Sequence, residues 1–375
     1  MKPKISLVVP SHNDPQHLKD LLKSIAIAKE EFDDEIQTII VDYSDNEIEI
    51  INKEMCLKYR AEYYKGHRKV TVSRNIGINQ AKAEIILFVD SDCTISPQLF
   101  EEHLRVYKTN PKIGGVLGLT IFNGKDNNAW KIMELTPFVT PFQFANMMEY
   151  APWGTCTNIS FRKDVLKKIN GFNENLPLRL GGEDVDLGWR VNNIGYKIKC
   201  NPKAIVYHTK DTWSSSLRNI KKVFRWGRAD FYLFKEHPQK RALDIPKYSF
   251  LFILNILVFI SLSIVFKSII FLVFPVIWLF LVILFDAYLK NTILKQKNLA
   301  KQFIASLLLF CFEFGFLYES LKRGWIKPIF MKILHSPNQL MSSWERDIVV
   351  KCWSITIATL IVIITTLLVS LWIFQ

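Results

Sequence analysis

Residues 85–89 (IILFV) form an unbroken apolar run that stops at Asp90-Ser91-Asp92. A short apolar run cut off by polar residues reads as a buried parallel strand. Ligands of open α/β sheets gather at the carboxyl ends of such strands. Two carboxylates one residue apart repel each other and lose solvation on burial, so something must compensate them. The tripeptide admits two readings. A divalent ion bridging a diphosphate would neutralise both acids. Alternatively, Asp and Ser merely turn the chain and close the strand.

The preceding residues place that strand in a series. Lys4–Val9 (KISLVV) reads as a first buried strand, closed by Pro10-Ser11-His12-Asn13-Asp14. Asp14-Pro15 is a helix start, and Leu18, Leu21, Leu22 and Ile25 follow at helical spacing. Glu35–Val41 is a second strand ending at Asp42, followed by a helix through about Lys58. Arg74–Ala83 reads as a further helix leading into the IILFV strand, and Lys112–Leu119 as another strand. This β-α-β-α-β order implies a parallel sheet with right-handed crossovers. Three successive strands then end in polar clusters on one edge, where a nucleotide would lie.

Composition narrows the class. The chain of 375 residues is long enough for roughly two domains on the length prior. Its formal charge of +13 points to nucleic acid or an anionic membrane surface. The apolar residues crowd toward the C-terminal end and the basic ones lie beside them, which favours the membrane over a nucleic-acid groove. The six cysteines are scattered with no CxxC and no Cys/His cluster, so neither zinc nor a disulfide framework is expected. A strand-like run begins almost at once, so no cleavable leader is expected.

Four stretches, SLVVPSHND, IIVDYSDNE, SRNIGINQAKAEIILFVDSD and GGEDVDLGWRV, together resemble the family-2 glycosyltransferases of the GT-A fold, over about residues 4–230. The membrane-anchored type of bacteria and archaea is the nearest pattern. The resemblance implies an α/β fold with a Rossmann-like mixed sheet and flanking helices. It implies Mn²⁺ or Mg²⁺ on the donor diphosphate at Asp90 and Asp92, with Asp92 the direct ligand. Asp42 matches an acid that contacts the nucleotide base, although Tyr43 stands where many relatives carry a second acid. Pro10 and Ser11 match the loop lining the nucleoside, and Arg74 a basic residue near the phosphates. The side chain of Arg74, taken alone, equally suits a solvated helix N-terminus.

Further along, Thr155–Arg162 matches the family strand before the catalytic helix, and Gly171-Phe172-Asn173-Glu174 its turn. Gly181-Gly182-Glu183-Asp184-Val185-Asp186 then packs three acids behind two flexible glycines. By resemblance, Asp184 is the general base and Glu183 positions the acceptor or the loop, whereas Asp186 supports the helix. A bare reading of three acids at a helix start is dipole capping. His208 closes a strand pair expected around Asn201-Pro202 and matches a histidine that approaches the metal and diphosphate. Its bland counterpart is a hydrogen-bonded core histidine. Lys222-Val223-Phe224-Arg225-Trp226 resembles the QxxRW motif of processive relatives, with lysine for glutamine. Arg225 would neutralise the diphosphate and Trp226 would stack on a sugar, on a helix that also suits a membrane surface. The aromatic stretch 123–152 reads mostly as core, with an acceptor wall or lid as the alternative.

Beyond that helix, residues 248–266, 268–285, 299–318 and 353–374 are apolar stretches of spanning length. The Lys-rich loop 290–301 is expected on the cytosolic side. Loop 321–351 is basic too, so 299–318 crosses fully or re-enters, giving three or four crossings. The expected organisation is a catalytic domain over 1–215, a basic juxtamembrane segment over 216–247 and a membrane domain over 248–375.

The reading is an inverting, metal-dependent, hexosyltransferase-type enzyme on the cytosolic face of the cell membrane. It would take a nucleoside diphosphate sugar, with UDP-sugars ahead of GDP- or dTDP-sugars, to a lipid-linked or surface-glycan acceptor. A non-catalytic membrane scaffold of the same fold is the alternative. A sugar nucleotidyltransferase is less favoured because PSHND lacks the glycine-rich loop such an enzyme needs after its first strand.

Overall fold

The computed structural model describes residues 2–178, 180–243, 248–295 and 298–335, with isolated positions from 354 to 369. The chain divides into two compact units, Met1–Trp130 with Pro137–Ser215, and Lys131–Thr136 with Ser216–Gln375.

The first unit is built on one mixed sheet. Strands β1 (Ile5–Ser11), β2 (Ile36–Asp42), β3 (Glu62–Lys65) and β4 (Ile85–Phe88) run parallel in the order β3-β2-β1-β4. Helices α1 (Pro15–Glu30), α2 (Asn46–Lys58) and α3 (Val70–Gln80) connect them. The Asp14 side chain accepts from the His17 amide and Pro15 opens α1, whose Leu18, Leu21, Leu22 and Ile25 are buried as their spacing predicts. Strand β3 escapes sequence reading, because Glu-Tyr-Tyr-Lys at a sheet edge carries no apolar run. The helix expected from Arg74 begins four residues earlier at Val70, so Arg74 lies one turn inside α3 rather than at a solvated end.

The rest of the sheet holds β5 (Cys93–Ile95), β6 (Ile113–Asn123), β7 (Tyr150–Ala151), β8 (Ile159–Arg162) and β9 (Lys197–Thr209). The path continues β4-β8-β6-β9-β5, with β7 on β9. Strand β8 is antiparallel to both β4 and β6, β6 is parallel to β9, and β5 is antiparallel to β9. The pair expected around Asn201-Pro202 is one strand. Pro202 cannot donate to a ladder, and the register to β6 slips there, from Gly118↔Asn201 to Leu119↔Ile205.

Between β4 and β5, Asp90-Ser91-Asp92 carries the chain from the parallel half of the sheet to its far end. The two acids therefore face different neighbours. The β5–β9 register sets Cys93 opposite His208.

In the second unit, helices Tyr248–Val265, Ile269–Ile293 and Leu299–Lys322 are each long and apolar enough to cross a membrane. The second and third run past their expected ends at 285 and 318. The fourth expected span, 353–374, lies outside the described residues apart from isolated positions. Helix Ser216–Glu236 packs along Leu299–Lys322, and glycines set the distance. A Cβ on Gly227 would stand 1.8 Å from the Phe312 carbonyl oxygen, and one on Gly315 2.1 Å from that of Phe224. Such close crossings need small residues. Glu319, fully buried on the third helix, accepts from Arg228 at 2.7 Å and Tyr232 at 3.2 Å.

Candidate active site

The site is assembled by an arginine. Arg74 is 4% exposed, and its guanidinium donates to Asp90 Oδ1 at 3.0 Å and to Glu183 Oε1 at 2.9 Å. One planar fork thus joins the end of β4 to the start of the helix Glu183–Asn193. The Phe172 ring lies 5.4 Å from the guanidinium. Asn75, next on α3, exchanges two hydrogen bonds with the Phe172 backbone, and this fixes the Gly171–Glu174 turn against α3. Gly171 has φ +63°, and a Cβ there would meet Asn75 Oδ1 at 2.4 Å, so both conformation and space require glycine. Burial opposes the charge of Arg74. Its acidic neighbours, Cys156, Asp90 and Glu183, nevertheless hold the guanidinium above its ordinary value.

Gly181 (φ +96°) and Gly182 (φ +85°) turn the chain into the acid-bearing helix. Glu183, Asp184 and Asp186 occupy its first turn, where the helix dipole favours negative charge. They then diverge. Glu183 pairs with Arg74. Asp186 is buried and bound to Arg190 at 2.7–2.8 Å, and Arg190 also donates to the Ile169 and Gly171 carbonyls, so Asp186 is structural. Asp184 is half-buried and its recorded bond is from the Val185 amide at 2.8 Å. Burial, with Glu183 alongside, pushes its carboxyl up to about 7. A carboxylate poised there is suited to proton abstraction at neutral pH.

Across the tripeptide, Asp92 Oδ2 lies 3.5 Å from His208 Nε2. His208 is 5% exposed, and its Nδ1 faces the Thr209 carbonyl at 2.8 Å. A carbonyl only accepts, so Nδ1 carries a proton, and Nε2 is the nitrogen on the Asp92 side. A ring held this way through Nδ1 could offer Nε2 to a metal ion. Phe122, Phe142 and Trp213 pack around the His208 ring at centroid distances of 5.1–6.2 Å. Trp130 in turn packs on Phe122 and Trp213. Much of the aromatic stretch is therefore core, as its bland reading predicts, and this core wedges His208. The fit to a divalent ion is good: a carboxylate and an imidazole nitrogen converge, with the Asp90 carboxylate two residues from Asp92.

On the other flank, Ser11 is 5% exposed, and its hydroxyl finds no hydrogen-bond partner among the described residues, while Pro10 beside it is half-buried. Asp42 must be corrected. It is fully buried, and its carboxylate accepts from Ser44 at 2.7 Å, Asn52 at 3.1 Å and Tyr63 at 3.2 Å. It ties the end of β2 to α2 and β3, and with no exposed surface its carboxylate serves the fold rather than presenting a face to a base. Asp42→Ala is therefore expected to lower stability by about 1–3 kcal/mol, the cost of stranding buried donors, with nucleotide preference unchanged. Thermal unfolding and nucleotide competition check the two halves. Tyr43, which stands where many relatives carry a second acid, is half-buried and stacked on His12 at 5.5 Å.

Arg225 and Trp226 lie on helix Ser216–Glu236 of the second unit. The first unit brings together Arg74, Asp90 and Glu183, and separately Asp92 and His208, along one sheet edge. Sequence reading missed the double grip of Arg74, which spans 109 positions to Glu183, and the placement of Cys93 beside Asp92. The only local signal for Cys93 was its position directly after the tripeptide.

Residues 6–170 match the model described as glycosyl transferase family 2, and residues 143–212 match one described as N-terminal domain of galactosyltransferase. The poly-beta-1,6-N-acetyl-D-glucosamine synthase of Staphylococcus epidermidis is 25% identical over 220 residues, 54% of this chain and 49% of the relative. A probable glycosyltransferase, YdaM, of Bacillus subtilis is 24% identical over 251 residues, 62% of this chain and 56% of the relative. The chain spans about half the length of these curated relatives. Among solved structures, the mannosyltransferase PcManGT from Pyrobaculum calidifontis, in complex with GDP-Man and Mn²⁺, is 15% identical with TM-score 0.48, covering 64% of this chain and 65% of that one. Residues 6–170 thus carry the match to glycosyl transferase family 2, and they lie in the mixed α/β sheet.

Proposed function

We propose that the chain is a metal-dependent, inverting glycosyltransferase that moves a sugar from a nucleoside diphosphate to a glycan or lipid-linked acceptor. The observation that carries this is the arginine fork. It holds Glu183 and Asp90 at the junction between an uncommitted carboxylate, Asp184, and the Asp92–His208 pair. A divalent ion on Asp92 and His208, with Asp90 near, would draw off the charge that develops on a departing diphosphate. Asp184 takes the proton of the acceptor hydroxyl as that oxygen attacks the anomeric carbon. A single displacement with one base inverts the centre and needs no enzyme nucleophile. Glu183 is held by Arg74 beside the base, and its charge adds to burial in raising the Asp184 carboxyl. The Ser11 hydroxyl, without a hydrogen-bond partner among the described residues, is offered to the nucleoside.

The acceptor class is supported by the family domain and by the name of the polysaccharide synthase among the relatives. The membrane setting is supported by the three spanning-length helices. The lysines of loop 290–301 support a cytosolic catalytic unit in a cell membrane that the chain crosses several times.

The test uses full-length protein in detergent, with Mn²⁺ or Mg²⁺ and a panel of UDP-, GDP- and dTDP-sugars. Slow, EDTA-sensitive release of nucleotide from one donor is expected. No release from any donor, with no thermal shift from any nucleotide, would favour the non-catalytic scaffold instead. The pH dependence follows from Asp184. Its carboxyl, raised to about 7, must be ionised to act. Hence kcat/KM should climb about tenfold per pH unit below 7 and level off above it. A profile flat through that region would remove Asp184 from the role.

A further inference from the structure

Cys93 adds a third kind of donor to the metal-site reading. Register places it opposite His208 on β5 and β9, and side chains directly opposite in an antiparallel pair share a face. Its Sγ lies 3.9 Å from Asp92 Oδ1, while Asp92 Oδ2 lies 3.5 Å from His208 Nε2. The donor atoms of Asp92, Cys93 and His208 all lie within 4.8 Å of one another. A tetrahedral ion with bonds of about 2.0–2.3 Å sets its donors roughly 3.3–3.8 Å apart. These two separations are already near that spacing, with Cys93 and His208 buried and Asp92 half-buried. Oxygen-preferring Mg²⁺ and Mn²⁺ have little use for a thiol, whereas Zn²⁺, Cd²⁺ and Co²⁺ bind sulfur and imidazole readily.

We propose that Asp92, Cys93 and His208 form an oxygen–sulfur–nitrogen site that captures thiophilic divalent ions in competition with the ion of the donor diphosphate. On binding, the S–H bond of Cys93 breaks, the proton passes to solvent and the sulfur lone pair forms the bond to the ion. No redox partner is needed. The consequence is a transferase that about one equivalent of Cd²⁺ or Zn²⁺ silences by occupying the same three residues. This rests on the metal site of the proposed function, and the two are separable by experiment.

Full-length protein in detergent is titrated with Co²⁺ and followed by its near-ultraviolet sulfur-to-cobalt charge-transfer absorption. Mn²⁺ binding is measured in parallel by paramagnetic resonance. The wild type should gain the sulfur band with one equivalent of Co²⁺, and excess Mn²⁺ should suppress it. Cys93→Ser and Cys93→Ala should lose the band and weaken Cd²⁺ binding on the order of tenfold or more, with Mn²⁺ affinity retained. His208→Ala should lose both. A band that survives in both Cys93 variants, or is missing from the wild type while Mn²⁺ binds, overturns this proposal alone. Failure of the wild type to bind Mn²⁺, with the sulfur band present, overturns the donor-metal reading and leaves the thiophilic site standing.

Discussion

Asp184→Asn should reduce sugar transfer by about 10²–10⁴-fold, the span a positioned general base contributes, while donor binding changes little. The substitution is nearly isosteric, and the Val185 amide can still donate to the remaining oxygen at 184. The helix start therefore stays intact and only proton acceptance is lost. Capping alone would predict the reverse pattern, a modest loss of stability with turnover preserved. Donor titration, thermal unfolding and single-turnover transfer on the same preparation separate the two. Retained turnover would remove the base role from Asp184.

Arg74→Met is expected to injure both folding and activity. Its removal leaves Asp90 and Glu183 without the cation that neutralises them. Breaking a buried pair by deleting one partner costs about 3–5 kcal/mol. The lower end applies here, because the side chains of Asp90 and Glu183 retain 29% and 17% exposure. A loss of about 3 kcal/mol corresponds to a fall of roughly 6–12 °C in Tm for a domain of this size. Arg74→Lys should recover only part of this, since one ammonium cannot fork to two carboxylates. If Arg74 instead acted only on the donor phosphates, activity would fall with Tm unchanged.

The legible and illegible features divide by the range of the interaction behind them. Asp90-Ser91-Asp92 and Gly181-Gly182-Glu183-Asp184 are local patterns. A strand end and a glycine turn put those acids on the sheet edge whatever else the chain does. The burial of α1 follows likewise from the spacing of Leu18, Leu21, Leu22 and Ile25. Arg74 was legible as a basic residue near the site but not as its clamp, because its partners lie 16 and 109 positions away. Asp42 misled for the same reason. At a strand end it resembles a ligand contact, and only Asn52 and Tyr63, brought in by α2 and β3, turn it into a structural acid. Cys93 reads in the sequence as one of six scattered cysteines, and only the β5–β9 register sets it against His208.

The central claim is that the sheet edge at Asp92 and His208 binds a nucleoside diphosphate through a divalent ion. Calorimetric titration of the full-length protein with UDP and GDP, in Mn²⁺ and then in EDTA, tests it most directly. One nucleotide should bind in Mn²⁺ and lose at least tenfold in affinity in EDTA or in Asp92→Asn, the scale of losing a metal contact. Equal affinity with and without the ion, or in Asp92→Asn, would contradict the claim.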